Sequence, residues 1–287
     1  MRKLSLIHLV IILCLSVFAF STHSIASQKD GLLKIYFLNI GQGDAEFIET
    51  PSGNQILIDG GPDDKILSEL GKVMPFYDHD IDMVIASHPH SDHITGLIDV
   101  LGRYQVKNII EAEESYDSPQ FRAWKDAIAK EGAQYTEAMI GQSIDLGDGV
   151  TLNILHPFQS VAGTDTRTPH DDMVVTMLEY GSFRVLLAGD MEKKVEDKLM
   201  SAGEDLRADI LKVGHHGSKT STSEEFLKIV QPRFAFIEVG KNNVYHLPSP
   251  EVLTRLSNHE VKYFRTDQNG TTEVVSDGTS FKIVEHN

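Results

Sequence analysis

The sequence predicts an α+β fold: one domain of two β-sheets with helices on the outside. Three observations predict it. Short apolar runs alternate with amphipathic helical stretches along most of the chain. β-rich stretches occupy both halves, so each half is expected to supply a sheet. No Pro/Gly/Ser-rich linker and no fixed-period repeat divides residues 30–287, which read as a single domain.

The elements follow in order. LLKIYFLNI and AEFIET read as strands around the tight GQGD at 41–44. PSGN at 51–54 is a hairpin turn into QILIDGG. DKILSELGKVM is helical, and IDMVIAS is short and apolar enough for a buried strand. ITGLIDVLGRY is a helix, VKNIIEA a strand, and SPQFRAWKDAIAKEG a helix opened by Ser118 and Pro119. QSIDLGDGVTLNILHP returns to β structure, and MVVTMLEYGSFRVLLAGD is a hairpin turning at 180–182. Helices EKKVEDKLM, SEEFLKIVQ and SPEVLTRLSN then alternate with strands ADILKVGHH and RFAFIEV. The tail, 262–284, is β-rich with turns at Asn269-Gly270 and Asp277-Gly278.

The first residues follow another logic. A basic start (Arg2, Lys3), an apolar run to Phe20 and small residues at Ser24 and Ala26 form a signal-peptide layout over 1–26. The expectation is export to the periplasm, cell surface or medium, with no stable membrane span after cleavage; an uncleaved membrane anchor is the alternative. Cys14 is the sole cysteine and lies in this segment, so the remaining chain has no disulfide or thiolate ligand. The formal charge is −16 and becomes two units more negative without Arg2 and Lys3. Such a surface repels phosphate backbones and argues against a broad nucleic-acid-binding face. A phosphodiester can still enter a cleft whose sign bound cations reverse.

The chemistry concentrates where strands end. HPHSDH at 88–93 follows IDMVIAS and places four potential ligands in six positions. His88 and His90 can grip one metal, while Asp92 and His93 face differently and suit a second. Imidazole with carboxylate favours Zn2+, with Mn2+ or Fe also compatible. Asp190 ends RVLLAGD and can bridge two cations. His215 and His216 end ILKVGHH. His170 precedes DDMVVTML, where it, Asp171, Asp172 or none of them supplies another ligand. His156 reads as structural, and His246 as a proton donor or phosphate contact after RFAFIEV.

HPHSDH followed by Gly96, with LLAGD downstream, resembles the metallo-β-lactamase-fold hydrolase superfamily. The phrases FLNIGQGDAEFIETPSGNQILIDGG, LLAGDME, ILKVGHHGSKTSTS and NNVYHLPSPEVL resemble the hydrolase domain of ComEC-type DNA-uptake proteins, over about 34–256. The resemblance implies a four-layer αββα sandwich and a two-metal centre. It implies that His88 and His90 hold one cation, Asp92 and His93 the other, and that Asp190 bridges. His216 would complete the second set, with His215 turned towards substrate. Asp59 would orient ligands from the loop beneath, and Asp44 is a polar group near the cleft.

Two departures are visible. The family's third histidine for the first metal falls near HDDM, where ComEC-type proteins carry an Asn/Asp-rich stretch, so that site is expected to be weak. ComEC-type proteins also cross the membrane many times, whereas this chain has one apolar segment, so DNA transport is not expected. The reading is an exported metal-dependent hydrolase in which Asp92 orients a metal-bound hydroxide and His215 or His246 stabilises developing charge. Its expected substrate is a small phosphoester or nucleic-acid-like phosphodiester. Lactone or β-lactam hydrolysis comes second, and a metal-dependent binding module without turnover third.

Overall fold

The computed structural model describes residues 31–164 and 168–286. The expected signal segment, 1–26, lies outside the described residues. The first sheet contains β1 (Leu33–Phe37), β2 (Glu46–Glu49), β3 (Gln55–Ile58), β4 (Asp80–Ile85), β5 (Gln105–Glu111) and β6 (Gln134–Glu137). The second contains β7 (Ser143–Gly147), β8 (Val150–His156), β9 (Val175–Tyr180), β10 (Phe183–Leu187), β11 (Ile210–Lys212), β12 (Phe234–Ile237) and β13 (Lys262–Arg265). The last two strands, β14 (Thr271–Ser276) and β15 (Phe281–His286), return to the first sheet, whose order is β15-β14-β1-β2-β3-β4-β5-β6. The second sheet runs β13-β12-β11-β10-β9-β8-β7.

Each sheet is antiparallel on one side and parallel on the other. Strands β3 to β6 are mutually parallel, as are β10 to β13. Parallel neighbours need a crossover, and helices supply most of them. Helices α1 (Lys65–Val73), α2 (Ser91–Arg103) and α3 (Pro119–Glu131) follow β3, β4 and β5. Helices α4 (Lys193–Ala202), α5 (Glu224–Val230) and α6 (Pro250–Asn258) follow β10, β11 and β12. Ser118, Ser223 and Ser249 each accept an N–H of the first turn, and Pro119 and Pro250 occupy the first helical position, where no N–H is missed.

Three apolar layers separate the four structural ones. Leu33, Ile35 and Phe37 point between the sheets, whereas Tyr36 and Leu38 face α1 and α2. Val185 and Leu187 meet the first sheet, whereas Leu186 and Ala188 meet α4 and α5. A strand alternates its side chains, so one buried on both faces must be apolar throughout. This explains the unbroken runs in the sequence and yields the αββα sandwich. Phe37 and Phe236 stack across the sheets with ring centroids 4.0 Å apart.

The tail corrects one expectation. It does not remain with the second half of the chain. Its first strand, β13, extends the second sheet, and α7 (Thr266–Asn269) turns the chain over. Strand β14 then pairs with β1 at the far end of the sequence. No helix among the described residues is long and apolar enough to cross a membrane.

Candidate metal centre

The carboxyl ends of β3, β4, β10, β11 and β12 lie at one edge of the sandwich. Their following loops carry Asp59, the HPHSDH stretch, Asp190, the His215-His216 pair and Glu238. Such strand ends are the usual location for sites in parallel sheets. Loop and helix are locked together here. The Gly60 N–H donates to the His93 carbonyl, and the Gly96 N–H donates to the Gly61 carbonyl. A Cβ at Gly96 would lie 2.0 Å from the Gly60 oxygen, so this approach requires glycine. It carries Asp59 beneath His93.

Two donor sets converge at this edge. His88, His90, His170 and Asp190 form the first; Asp92, His93 and His216 form the second. In the first, His90 Nδ1 lies 2.9 Å from His88 Nε2 and 3.1 Å from His170 Nε2. Ligand nitrogens around one tetrahedral Zn2+ stand about 3.3 Å apart. Asp190 lies between the sets. Its Oδ2 is 3.8 Å from His88 Nε2, 3.3 Å from His93 Nε2 and 3.6 Å from His170 Nε2. Its Oδ1 is 3.5 Å from His216 Nε2, which is also 3.4 Å from Asp92 Oδ2.

The fit to cations rests on atoms left over. Among the described residues, His93 Nε2, His216 Nε2 and Asp190 Oδ1 are buried and make no well-formed hydrogen bond. Buried polar atoms without partners are costly and rare. These three belong to one cluster and face one another across it. Their opposite atoms are held firmly. His93 Nδ1 meets Asp59 Oδ2 at 2.7 Å, and His216 Nδ1 donates to the Glu238 carbonyl at 2.9 Å, with Asp44 Oδ1 3.1 Å away. Each bond leaves Nε2 as the inward donor. The residues therefore fit two divalent cations sharing Asp190.

Electrostatics agree. Burial opposes charge on His93, but Asp190 and Asp59 raise its pKa well above the usual imidazole range. Burial likewise opposes charge on His216, yet Asp190 and Asp44 push it up to about 10. Burial would raise Asp190, but His216 and His93 hold it well below the carboxylate range. The second donor set attracts positive charge strongly enough to retain protons. His88 and His170 behave oppositely: burial pulls His88 well below its usual pKa and His170 down to about 4, leaving both neutral as ligands must be.

The backbone decides the roles in the histidine pair. His215 and His216 both adopt left-handed φ, 45° and 51°. Two consecutive non-glycine residues there store strain, which the surrounding fold must hold. The turn buries His216 against Asp44 while His215 stays partly exposed on the cleft wall.

The cleft has a volume of about 300 Å3, and its floor carries His90, Asp92, His170, Asp190, His215 and His216. Its rim is polar and uncharged, with Gln42, Tyr116 and Tyr245 prominent. The structure does not bring His246 into this lining. His246 is exposed, and Tyr245 and Leu247 form the wall instead. The alternation around a left-handed His246, φ 58°, turns its ring outward. His156 is buried, with Nδ1 2.6 Å from the Met173 carbonyl. Asp44 lies deeper than a cleft-side position, ion-paired to the fully buried Lys212.

Sequence reasoning missed Ser87, Glu192 and Glu238. Ser87 donates its N–H and hydroxyl to Asp59, at 2.7 and 2.6 Å, and its Oγ lies 3.0 Å from His88 Nδ1. One carboxylate thus orients a ligand in each set. Asp59→Asn is expected to weaken cation affinity about 10- to 100-fold by isothermal titration. Asparagine tolerates the left-handed φ of 57°, so the loss reports the carboxylate rather than the backbone. Affinity within twofold of the parent would refute this role. Only position could have flagged these residues: Ser87 adjoins HPHSDH and Glu192 follows Asp190 by two.

Comparison with known proteins agrees with the geometry. The family model described as the metallo-beta-lactamase superfamily matches residues 38–237. ComE operon protein 3 of Bacillus subtilis (strain 168) is 33% identical over 257 residues, 84% of this chain and 32% of that protein. Recombination protein 2 of Haemophilus influenzae is 28% identical over 270 residues, covering 92% and 31%. The chain thus spans about a third of the length of these relatives. Zn(2+)-bound PqqB from Methylobacterium extorquens shares the fold, with a TM-score of 0.51 at 11% identity over 82% of this chain and 97% of that one. Strand-end ligands, layer order and matched residues coincide: the chain belongs to the metallo-beta-lactamase superfamily.

Proposed function

We propose that this protein is a metal-dependent phosphodiesterase. One observation carries the reading: two donor sets with three orphaned inward atoms share Asp190 and open into a polar cleft. His88, His90, His170 and Asp190 would hold one cation; Asp92, His93, His216 and Asp190 would hold the other. The donor types suit Zn2+. Bound divalent cations acidify water and polarise a phosphoryl oxygen.

The chain's own residues supply the rest. Asp92, half-buried at the cleft floor, can accept a hydrogen bond from the attacking water and fix its approach. Asp59 and the Glu238 carbonyl keep His93 and His216 in one tautomer. His215 stands on the wall, able to donate to an oxygen that gains charge as its bond breaks. Gln42 and the tyrosines offer hydrogen bonds and ring faces to uncharged parts of a substrate.

Phosphodiesters are favoured over lactams for two reasons. The cleft wall offers hydrogen-bonding side chains such as Gln42, Ser118 and Gln120, and one relative is named for recombination. The acidic surface favours a short or small phosphodiester over a long duplex. The test is a panel of bis-p-nitrophenyl phosphate, nitrocefin and a lactone with Zn2+ or Mn2+. Cation-dependent turnover of the phosphodiester alone is expected. Turnover of nitrocefin or the lactone alone would replace the reading, and no turnover by cation-loaded protein would favour a binding module.

A further inference from the structure

We infer that Glu192 is a positioning residue that fixes His215 as the proton donor to the leaving group. The inference rests on the phosphodiesterase reading above. Glu192 stands behind His215, away from the cleft, with its Oε1 3.0 Å from His215 Nδ1. Thr220 donates its hydroxyl to the same oxygen at 2.7 Å, and Ser218 Oγ lies 2.8 Å from Thr220 Oγ1. The carboxylate therefore cannot swing freely. The His215 N–H donates to the Gly189 carbonyl, which ties the ring's own backbone to the strand end bearing Asp190.

The consequence is a fixed tautomer. A carboxylate accepts only, so His215 Nδ1 carries the hydrogen facing it. Nε2 is left towards the cleft, 3.8 Å from Asp190 Oδ2. His170 packs against the ring with centroids 4.4 Å apart and limits its rotation, although its own Nδ1 is 3.9 Å from Glu192 Oε1. His215 belongs to neither donor set that meets Asp190, although it also groups with His170 and Glu192, and it lines the cleft. The carboxylate behind the ring fixes its orientation, in the manner of a carboxylate–histidine pair.

The step balances. The water oxygen forms a bond to phosphorus, and the bond from phosphorus to the leaving oxygen breaks with its electron pair on that oxygen. His215 enters the step with a hydrogen on each ring nitrogen, passes the Nε2 proton to that oxygen and becomes neutral imidazole; the proton lost by the water returns it to imidazolium.

The experiment compares two phosphodiesters. p-Nitrophenolate leaves without a proton, whereas the alkoxide of a thymidine dinucleotide needs one. Glu192→Ala is expected to lower turnover of the dinucleotide about 10- to 100-fold more than that of bis-p-nitrophenyl phosphate. Glu192→Gln, which keeps an acceptor without charge, should recover part of the difference. Independently of activity, 15N-histidine NMR should show a hydrogen-bonded Nδ1 proton of His215, assigned with His215→Gln, that Glu192→Ala removes. Equal losses on both substrates, or an unchanged His215 signal, overturn the inference alone. A wild-type protein inactive on both phosphodiesters overturns the phosphodiesterase reading and this inference with it.

Discussion

Asp190→Ala is expected to abolish cation retention and lower turnover by at least about 10^3-fold, the scale of removing a unit that the other groups depend on. Its two oxygens face imidazoles of both donor sets within 3.8 Å, and one of them has no other partner. Asp59 and Asp44 cannot replace it, because they already hold the far sides of His93 and His216. Those same contacts keep both histidines partnered in the variant, so the sandwich should stay folded. Metal analysis after dialysis, circular dichroism and turnover of bis-p-nitrophenyl phosphate check the three parts. A folded variant that hydrolyses the substrate without bound metal would sink the mechanism.

Cation binding is expected to raise thermal stability and to expel protons. At a free concentration 100-fold above Kd, each occupied site contributes about 2.7 kcal/mol. In a chain of this size that corresponds to a rise in Tm of roughly 5–10 °C per site. The proton release has a definite sign. His93 lies well above the usual imidazole pKa and His216 at about 10, because burial is outweighed by Asp190 with Asp59 or Asp44. Raised folded pKa values stabilise the metal-free protein fully below the unfolded value of about 6.5. That contribution fades as pH rises through about 10. A cation must displace these protons, so its affinity increases with pH across the same window. The gap in Tm between loaded and metal-free protein should widen from pH 6 to pH 9. Calorimetry in buffers of different ionisation enthalpy should count about two protons released near neutrality. A gap independent of pH would refute the assigned protonation.

His170 joins the first donor set only in three dimensions. No local spacing connects His170 to HPHSDH, which lies 80 residues away from it at His90. The strand pairing of β8, β9 and β10 carries the 168–174 segment over the end of β4, where the Val174 N–H donates to the Ser87 carbonyl. The histidine then arrives beside His88 and His90. Glu192 was hidden for a related reason. A glutamate at the start of a helix reads as a solvated charge, and only its contact with His215 gives it work.

Other features were legible because they are local. Apolar runs such as VLLA report a strand buried on both faces, and Ser-Pro pairs report helix starts. HPHSDH reports ligand density at a strand end. The sequence by itself determined the layer-forming elements, the acidic surface and most of the donor residues, since periodicity and residue chemistry act over a few positions. The tertiary structure alone decided which donors meet. It turned His216 in and His215 towards the cleft through a left-handed turn, and it turned His246 out. It joined the tail to β1 and set Asp59 under both donor sets. The physical reason is that a ligand's direction depends on backbone angles and distant strand register, which the packing of two sheets imposes and no short stretch encodes.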